Sequence, residues 1–396
     1  MKKKRYLTLI LILGSLTALG PFSIDMYLPG FPAMATHLGT DVATVGLSLS
    51  SFFIGISAGQ LLYGPLLDRY GRKRPLYLGL LIYILSSIAC AWSGTIESLI
   101  VLRFVQAVGS CAAAVASVAM VRDLFPVEDN AKVFALLMLV VGVSPMIAPT
   151  VGGYVTAAWN WQPVFLILAA MGTAILAAVY FGLPESRHPD PSFSLKPKFI
   201  IRNFISVIRE PRFYTYAACG ALSLAGLLTY VSGSPLLFME VFNVGEKIYG
   251  WIFALLSVGL IGSSQLNSLF LKKYTSQQLV TTALIFQCLV AFLLMTGTWF
   301  NVLGLYATIT LIFLYLGSLG FILPNTSALA MSPFSANAGS ASSLMGAGQM
   351  GLGAITTVLL SIFNNHTAVP MTALMAATAV VGFLILKIGG KTIQLA

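Results

Sequence analysis

Two charges stand inside long apolar stretches of this sequence. Asp25 lies in Phe22-Ser23-Ile24-Asp25-Met26-Tyr27-Leu28-Pro29, and Arg103 in Ile100-Val101-Leu102-Arg103-Phe104-Val105-Gln106. Apolar surroundings and a neighbouring guanidinium act in opposite senses on a carboxylate, and a group balanced between them is suited to gain and lose a proton. The alternatives are an Asp25 wetted from outside and an Arg103 that is structural, bonded to carbonyls or snorkelling. A third group is the charged run Gly64-Pro65-Leu66-Leu67-Asp68-Arg69-Tyr70-Gly71-Arg72-Lys73-Arg74. Gly71 permits a tight turn, and Asp68 is placed where a carboxylate can face the positive N-terminal end of a neighbouring helix.

Other chemistry is missing. Cys90, Cys111, Cys219 and Cys288 each sit in an apolar run without metal-ligand spacing and read as small buried hydrophobes. His37, His188 and His366 fall in expected loops far apart, so neither a metal site nor a cofactor is expected. Gly390-Lys391-Thr392 has Ile385 where a phosphate-binding loop needs Gly, and no nucleophile–base pair is evident. The chain does not read as an enzyme.

The elements that must position Asp25 and Arg103 follow from composition. Charged residues make up 9% of the 396, hydrophobic ones 58%; a soluble domain carries about 25% charged residues. Residues 274–386, 113 in all, contain no Asp, Glu, Lys or Arg, and neither do 133–184. One crossing needs ~20 apolar residues, so these runs hold four spans and two. They lack the alternation of a membrane barrel, so an all-α membrane protein is expected. The spans read as 6–28, 43–66, 75–94, 98–121, 133–157 and 163–183, then 213–238, 248–271, 278–297, 302–323, 338–363 and 367–387. The start, basic then apolar, resembles a signal peptide, but Pro21 follows the candidate cleavage site Ala18-Leu19-Gly20, so it reads as an uncleaved first span.

The longest polar break, 184–212, divides the chain into an N-terminal six-helix bundle (1–183), a linker and a C-terminal six-helix bundle (213–396). With the N-terminus inside, 20 of the 22 basic residues fall on the cytoplasmic side; only Arg103 and Lys247 do not. That placement explains the net charge of +10 by anionic lipid headgroups rather than nucleic acid.

The 64–74 run matches, at every fixed position, the loop signature of the major facilitator superfamily. Arg103-Phe104-Val105-Gln106-Ala107-Val108-Gly109 resembles a second motif of that superfamily, with Ala107 in place of Gly. Ala148-Pro149-Thr150-Val151-Gly152-Gly153 resembles its antiporter motif, with Ala148 in place of Gly; Pro145 and Pro149 loosen the helix there and small residues let helices approach. Pro184-Glu185-Ser186 also fits. Ser23-Ile24-Asp25-Met26-Tyr27-Leu28-Pro29 is similar to the twelve-span drug:proton antiporters, and within them to the bicyclomycin and chloramphenicol resistance subfamily. The resemblance covers nearly all of the first half. It implies two six-helix bundles around a central cavity, a conformational lock made by Gly64, Asp68, Arg69, Gly71, Arg72, Lys73 and Arg74 against the eleventh span, and proton coupling at Asp25 with Arg103.

The expected activity is therefore export of amphipathic small molecules, antibiotics included, in exchange for protons, by a monomer in the bacterial inner membrane. Phe22, Met26, Phe52, Gln106, Met146, Tyr230 and Gln349 are candidates for the substrate cavity, and Gln265, Asn267 and Asn325 are polar candidates in the second half. A metabolite transporter and a polytopic receptor are the other readings. Reporter fusions at residues 184–212 and at both termini are expected to report the cytoplasm; a periplasmic signal from the linker contradicts this topology.

Overall fold

In lipid every backbone N–H and C=O must be paired within the protein, and the chain meets that demand as α-helix. The computed structural model describes residues 3–190, 197–334 and 338–395; Lys2, Pro191 and Lys196 of the basic segments lie outside the described residues. Among those described, twelve stretches are long and apolar enough to cross a membrane. In chain order, α1 (Lys3–Asp25) runs through a 3-10 turn (Leu28–Gly30) into α2 (Phe31–Leu38). Then come α3 (Val42–Tyr70), α4 (Lys73–Ala91), α5 (Ile96–Leu124), α6 (Val127–Trp159), α7 (Gln162–Gly182) and the short α8 (Pro197–Ile208). α9 (Pro211–Pro235) continues into a π turn (Leu236–Val241). α10 (Glu246–Phe270), α11 (Ser276–Trp299), α12 (Leu305–Met331), α13 (Ala338–Ile362) and α14 (Val369–Leu395) complete the chain.

The local signals are ordinary. Asp41 caps α3 by accepting from the Thr44 N–H at 2.7 Å, and Thr275 with Gln278 forms a reciprocal capping box on α11. Two expectations need correction. The first span does not end at residue 28: after the break at Pro29 it continues as helix to Leu38, so His37 lies on a helix, its ring 5.7 Å from that of Trp161, and not in a loop. The tenth span does not end at residue 323. Pro324 sits inside α12, which runs on to Met331; membrane helices tolerate proline, and the Asn325 amide beside it donates from Nδ2 to the Phe321 carbonyl at 2.8 Å. The linker also contains α8.

Among the described residues, two helix pairs make most of the contact between the first six spans and the last six. α3 and α13 run antiparallel in contact along their length. Ser361 Oγ donates to the Ala43 carbonyl at 2.8 Å, Ser50 Oγ to Thr357 Oγ1 at 2.7 Å, and Ser57 Oγ to the Ala347 carbonyl at 2.8 Å. Small residues and hydroxyls thus line the seam, as close helix packing in lipid favours. α6 crosses α10 nearly backbone to backbone. A Cβ at Gly250 would lie 2.8 Å from Thr150 Cα and 2.9 Å from the Pro149 carbonyl oxygen, and Thr150 Oγ1 donates to the Gly250 carbonyl at 3.3 Å. Gly250→Val is therefore expected to overpack the crossing, at a cost of about 1–3 kcal/mol, and to lower the melting temperature of the purified protein. Gly262→Val, on the same helix with open space around its Cβ, is expected to melt like the wild type.

Candidate functional site

α1 ends at Asp25 because the chain must turn: Pro29 lies inside the 3-10 turn that follows. The Asp25 side chain is therefore held at the C-terminal, negative end of a helix, the less favourable end for a carboxylate. It is 4% exposed and the only buried carboxylate among the described residues, where it makes no ion pair. Tyr230 of α9 and Tyr249 of α10 lie within electrostatic range of it. The Tyr230 hydroxyl is buried without a hydrogen-bond partner, and its ring stacks on Phe253 at 5.7 Å. Tyr249 shares a hydrogen bond of 2.8 Å with Ser234.

Arg103 makes no ion pair with Asp25. It is fully buried in α5 and reaches two residues back from Asp25 to the Ser23 carbonyl, donating from Nη2 at 2.8 Å. Its Nη1 donates to Gln106 Oε1 at 2.5 Å, and Gln106 Nε2 donates in turn to Ser87 Oγ at 2.6 Å. The guanidinium carbon lies 4.1 Å from the ring centre of Tyr27 and 4.2 Å from that of Phe52, each contact an attraction between cation and ring face. Arg103 thus clamps the end of α1 to α3, α4 and α5. Phe52 and Gln106, expected in the substrate cavity, are instead fully buried partners of Arg103. Met26 is buried too, its carbonyl occupying the place a Cβ of residue 152 would take, so only glycine fits there. Phe22, Met146 and Gln349 are half-buried. Asn267 and Asn325 form an amide pair, Asn325 Nδ2 donating to Asn267 Oδ1 at 2.7 Å, which joins α10 to α12; Gln265 is exposed.

The antiporter-like motif of α6 binds these parts together. Pro149, Gly152 and Gly153 lie side by side: Gly152 against Met26 just past Asp25, Gly153 against the Glu246 carbonyl at the start of α10, and Pro149 against Gly250. The end of α1, the α6 motif and the tyrosines of α9 and α10 therefore form one joint. Tyr249 and Gly250 escaped the sequence reading, because a tyrosine and a glycine in an apolar run carry no signal of what they face.

The charged run lies at the opposite, basic end. Arg72 bridges two helices, donating from Nη1 to Asp68 Oδ1 at 2.9 Å and from Nε to Asp123 Oδ2 at 2.8 Å. Arg187 Nη1 donates to the same Asp68 oxygen at 3.1 Å. Burial works against the Arg72 charge, but Asp123 and Asp68 outweigh it and hold the guanidinium protonated beyond its ordinary range. Gly71 turns the chain with φ of +81°, which a side chain would strain. Glu185 then caps the start of α4, accepting from the N–H groups of Arg72 at 2.9 Å and Lys73 at 3.2 Å. Asp68 pairs here with Arg72 and Arg187, and among the described residues it makes no ion pair with α13. Gly64 is the member of the run that approaches α13, with Ser343 Oγ 3.4 Å from where its Cβ would be. Lys73 Nζ donates to the Leu183 carbonyl at 2.7 Å; Arg69 and Arg74 take no part in the Arg72 bridge. Arg72→Gln removes the guanidinium from between Asp68 and Asp123, which keep only Arg187 and Ser186; at a side chain only 7% exposed the loss of two charge-assisted bonds is expected to cost about 1.5–3 kcal/mol. Arg187→Gln, at a side chain 45% exposed, is expected to cost about 0–1 kcal/mol. Melting of the two purified variants checks the order.

Comparison with known proteins matches this geometry. The profile of the Major Facilitator Superfamily matches residues 13–358. The chain is 34% identical to the uncharacterized MFS-type transporter YdgK of Bacillus subtilis over 96% of its own length and 95% of the relative's. It is 30% identical to a bicyclomycin resistance protein homolog of Haemophilus influenzae, over 97% of the chain and 96% of the relative. The crystal structure of a D-xylose-proton symporter superposes with a TM-score of 0.78 over 96% of this chain and 97% of that one; at 15% identity the likeness is one of fold.

Proposed function

This chain belongs to the major facilitator superfamily, and on that premise we propose that it exports amphipathic small molecules, antibiotics among them, in exchange for protons. It is a multi-pass membrane protein with the twelve-span fold of that superfamily. The drug reading is supported by a relative named for bicyclomycin resistance that matches almost end to end. In this reading residues 1–183 and 213–396 are the two moving bundles and 184–212 links them. Both termini and the linker face the cytoplasm, and the chain works as a monomer in the bacterial inner membrane.

One observation carries the proton coupling: a buried carboxylate without a counter-ion sits at the joint between the first six spans and the last six. A proton on Asp25 removes the charge that the joint must otherwise hold in an apolar setting. Loading and unloading Asp25 therefore shifts the balance between the two arrangements of α6 against α10, and substrate release is tied to it. A proton moving inward gains ~2.3 kcal/mol per 100 mV of membrane potential. Arg103 positions the end of α1 rather than carrying the proton. At the basic end, the Arg72 bridge holds the loop between α3 and α4, and Gly64 brings that part of α3 to α13.

Asp25→Asn keeps the shape and removes the titration. In proteoliposomes under an imposed pH gradient it is expected to abolish uphill transport while leaving downhill exchange of a neutral substrate. Undiminished uphill transport by Asp25→Asn places the proton elsewhere.

A further inference from the structure

α8 has 12 residues, too few to cross a membrane, and its sides differ. One side rests on α9 and α13: Val207 is fully buried in a cluster with Phe213, Tyr216 and Ala341, and Asn203 and Phe204 are half-buried beside it. A second side presents Ile201, Ile205 and Ile208, which are 54%, 45% and 50% exposed. Their spacing of four and then three residues puts them on one stripe. A third side carries Arg202 and Ser206, with Arg209 just beyond the helix end, all exposed. Arg202, Arg209 and Arg212 make no ion pair among the described residues, and Glu210 is the only acid between residues 191 and 239.

The position of α8 limits what can cover the isoleucines. Only Arg209 and Glu210 separate it from Pro211, where the seventh span begins, so α8 is tethered at the level where that span leaves the lipid. An apolar stripe flanked by unpaired arginines at that level has the form of a helix lying in the membrane interface, and arginines there complement anionic headgroups. Charge and continuity with the lipid-facing span both point to phospholipid as the occupant.

We propose that α8 is an in-plane anchor for anionic phospholipid: Ile201, Ile205 and Ile208 enter the acyl boundary, and Arg202 and Arg209 hold headgroup phosphates. Its docked side carries the consequence inward. Val207 shares a buried cluster with Ala341 of α13, on which α8 rests, and α13 forms the seam with α3, so lipid bound at α8 biases the joint between the two sets of spans. The inference rests on the chain spanning a membrane and not on the drug or the proton, so it stands or falls apart from that reading.

Amide hydrogen exchange of the full chain tests it, in phosphatidylcholine vesicles with and without phosphatidylglycerol. Residues 201–209 are expected to exchange roughly ten-fold more slowly when phosphatidylglycerol is present, with α9 unchanged. Arg202→Gln with Arg209→Gln is expected to lose that difference. Ile205→Gln, which keeps the charges, is expected to weaken it. Equal exchange in both vesicles overturns the proposal, as does full protection in the double arginine variant. Protection that follows protein density in phosphatidylcholine alone assigns the stripe to a second copy instead. Protection by soluble glycerol phosphate in detergent reduces the site to a phosphate contact and overturns the in-plane anchor.

Discussion

A carboxylate with no counter-ion, placed at the negative end of a helix and shut away from water, is the constraint on which the rest of this molecule depends. Taking a charge out of water is costly, and an unpaired one costs most. The fold does not relieve Asp25 with a cation. It brings the nearest embedded cation, Arg103, to the carbonyl two residues earlier and occupies that cation with Gln106 and two aromatic rings. The end of α1 is thereby fixed while its carboxylate is left free to change charge.

The surroundings of Asp25 turn that change into movement. Gly152 admits the backbone just past Asp25, and its neighbours in α6 meet α10 with almost no side chain between them. A crossing this close leaves little room for gradual adjustment, because packed interfaces have discrete arrangements rather than a continuum. Tyr230 and Tyr249, on the other set of spans, lie within electrostatic range of the carboxylate, so its charge is felt on both sides of the joint. At the basic end the logic reverses: the acids are paired, capped and bridged by Arg72, Arg187 and the start of α4, a static arrangement that holds a turn.

The span count was legible because a charge-free run of 113 residues admits few alternatives, and Asp25 and Arg103 were legible because ions are rare in such runs. Their relation was not. Five residues into a span is a statement of depth, and depth cannot say which way a side chain points around a helix. Glu185 escaped as the cap of α4 because it lies 113 residues from Arg72, and nothing local marks a loop acid as the partner of a distant helix start. The tenth span runs past its expected end at 323 because Pro324 removes only its own N–H donor and does not stop a helix held in lipid. α8 was hidden among the prolines of the linker, too short and too polar for a hydropathy reading made to find spans.

Infrared titration of the purified protein in lipid tests the central claim most directly, since it observes the carboxyl proton itself. A protonated carboxyl band is expected that comes and goes as pH is scanned and is absent from Asp25→Asn, with Arg103→Lys altering its position but not removing it. A band that survives in Asp25→Asn, or no titrating band in the wild type, contradicts Asp25 as the carrier of the proton.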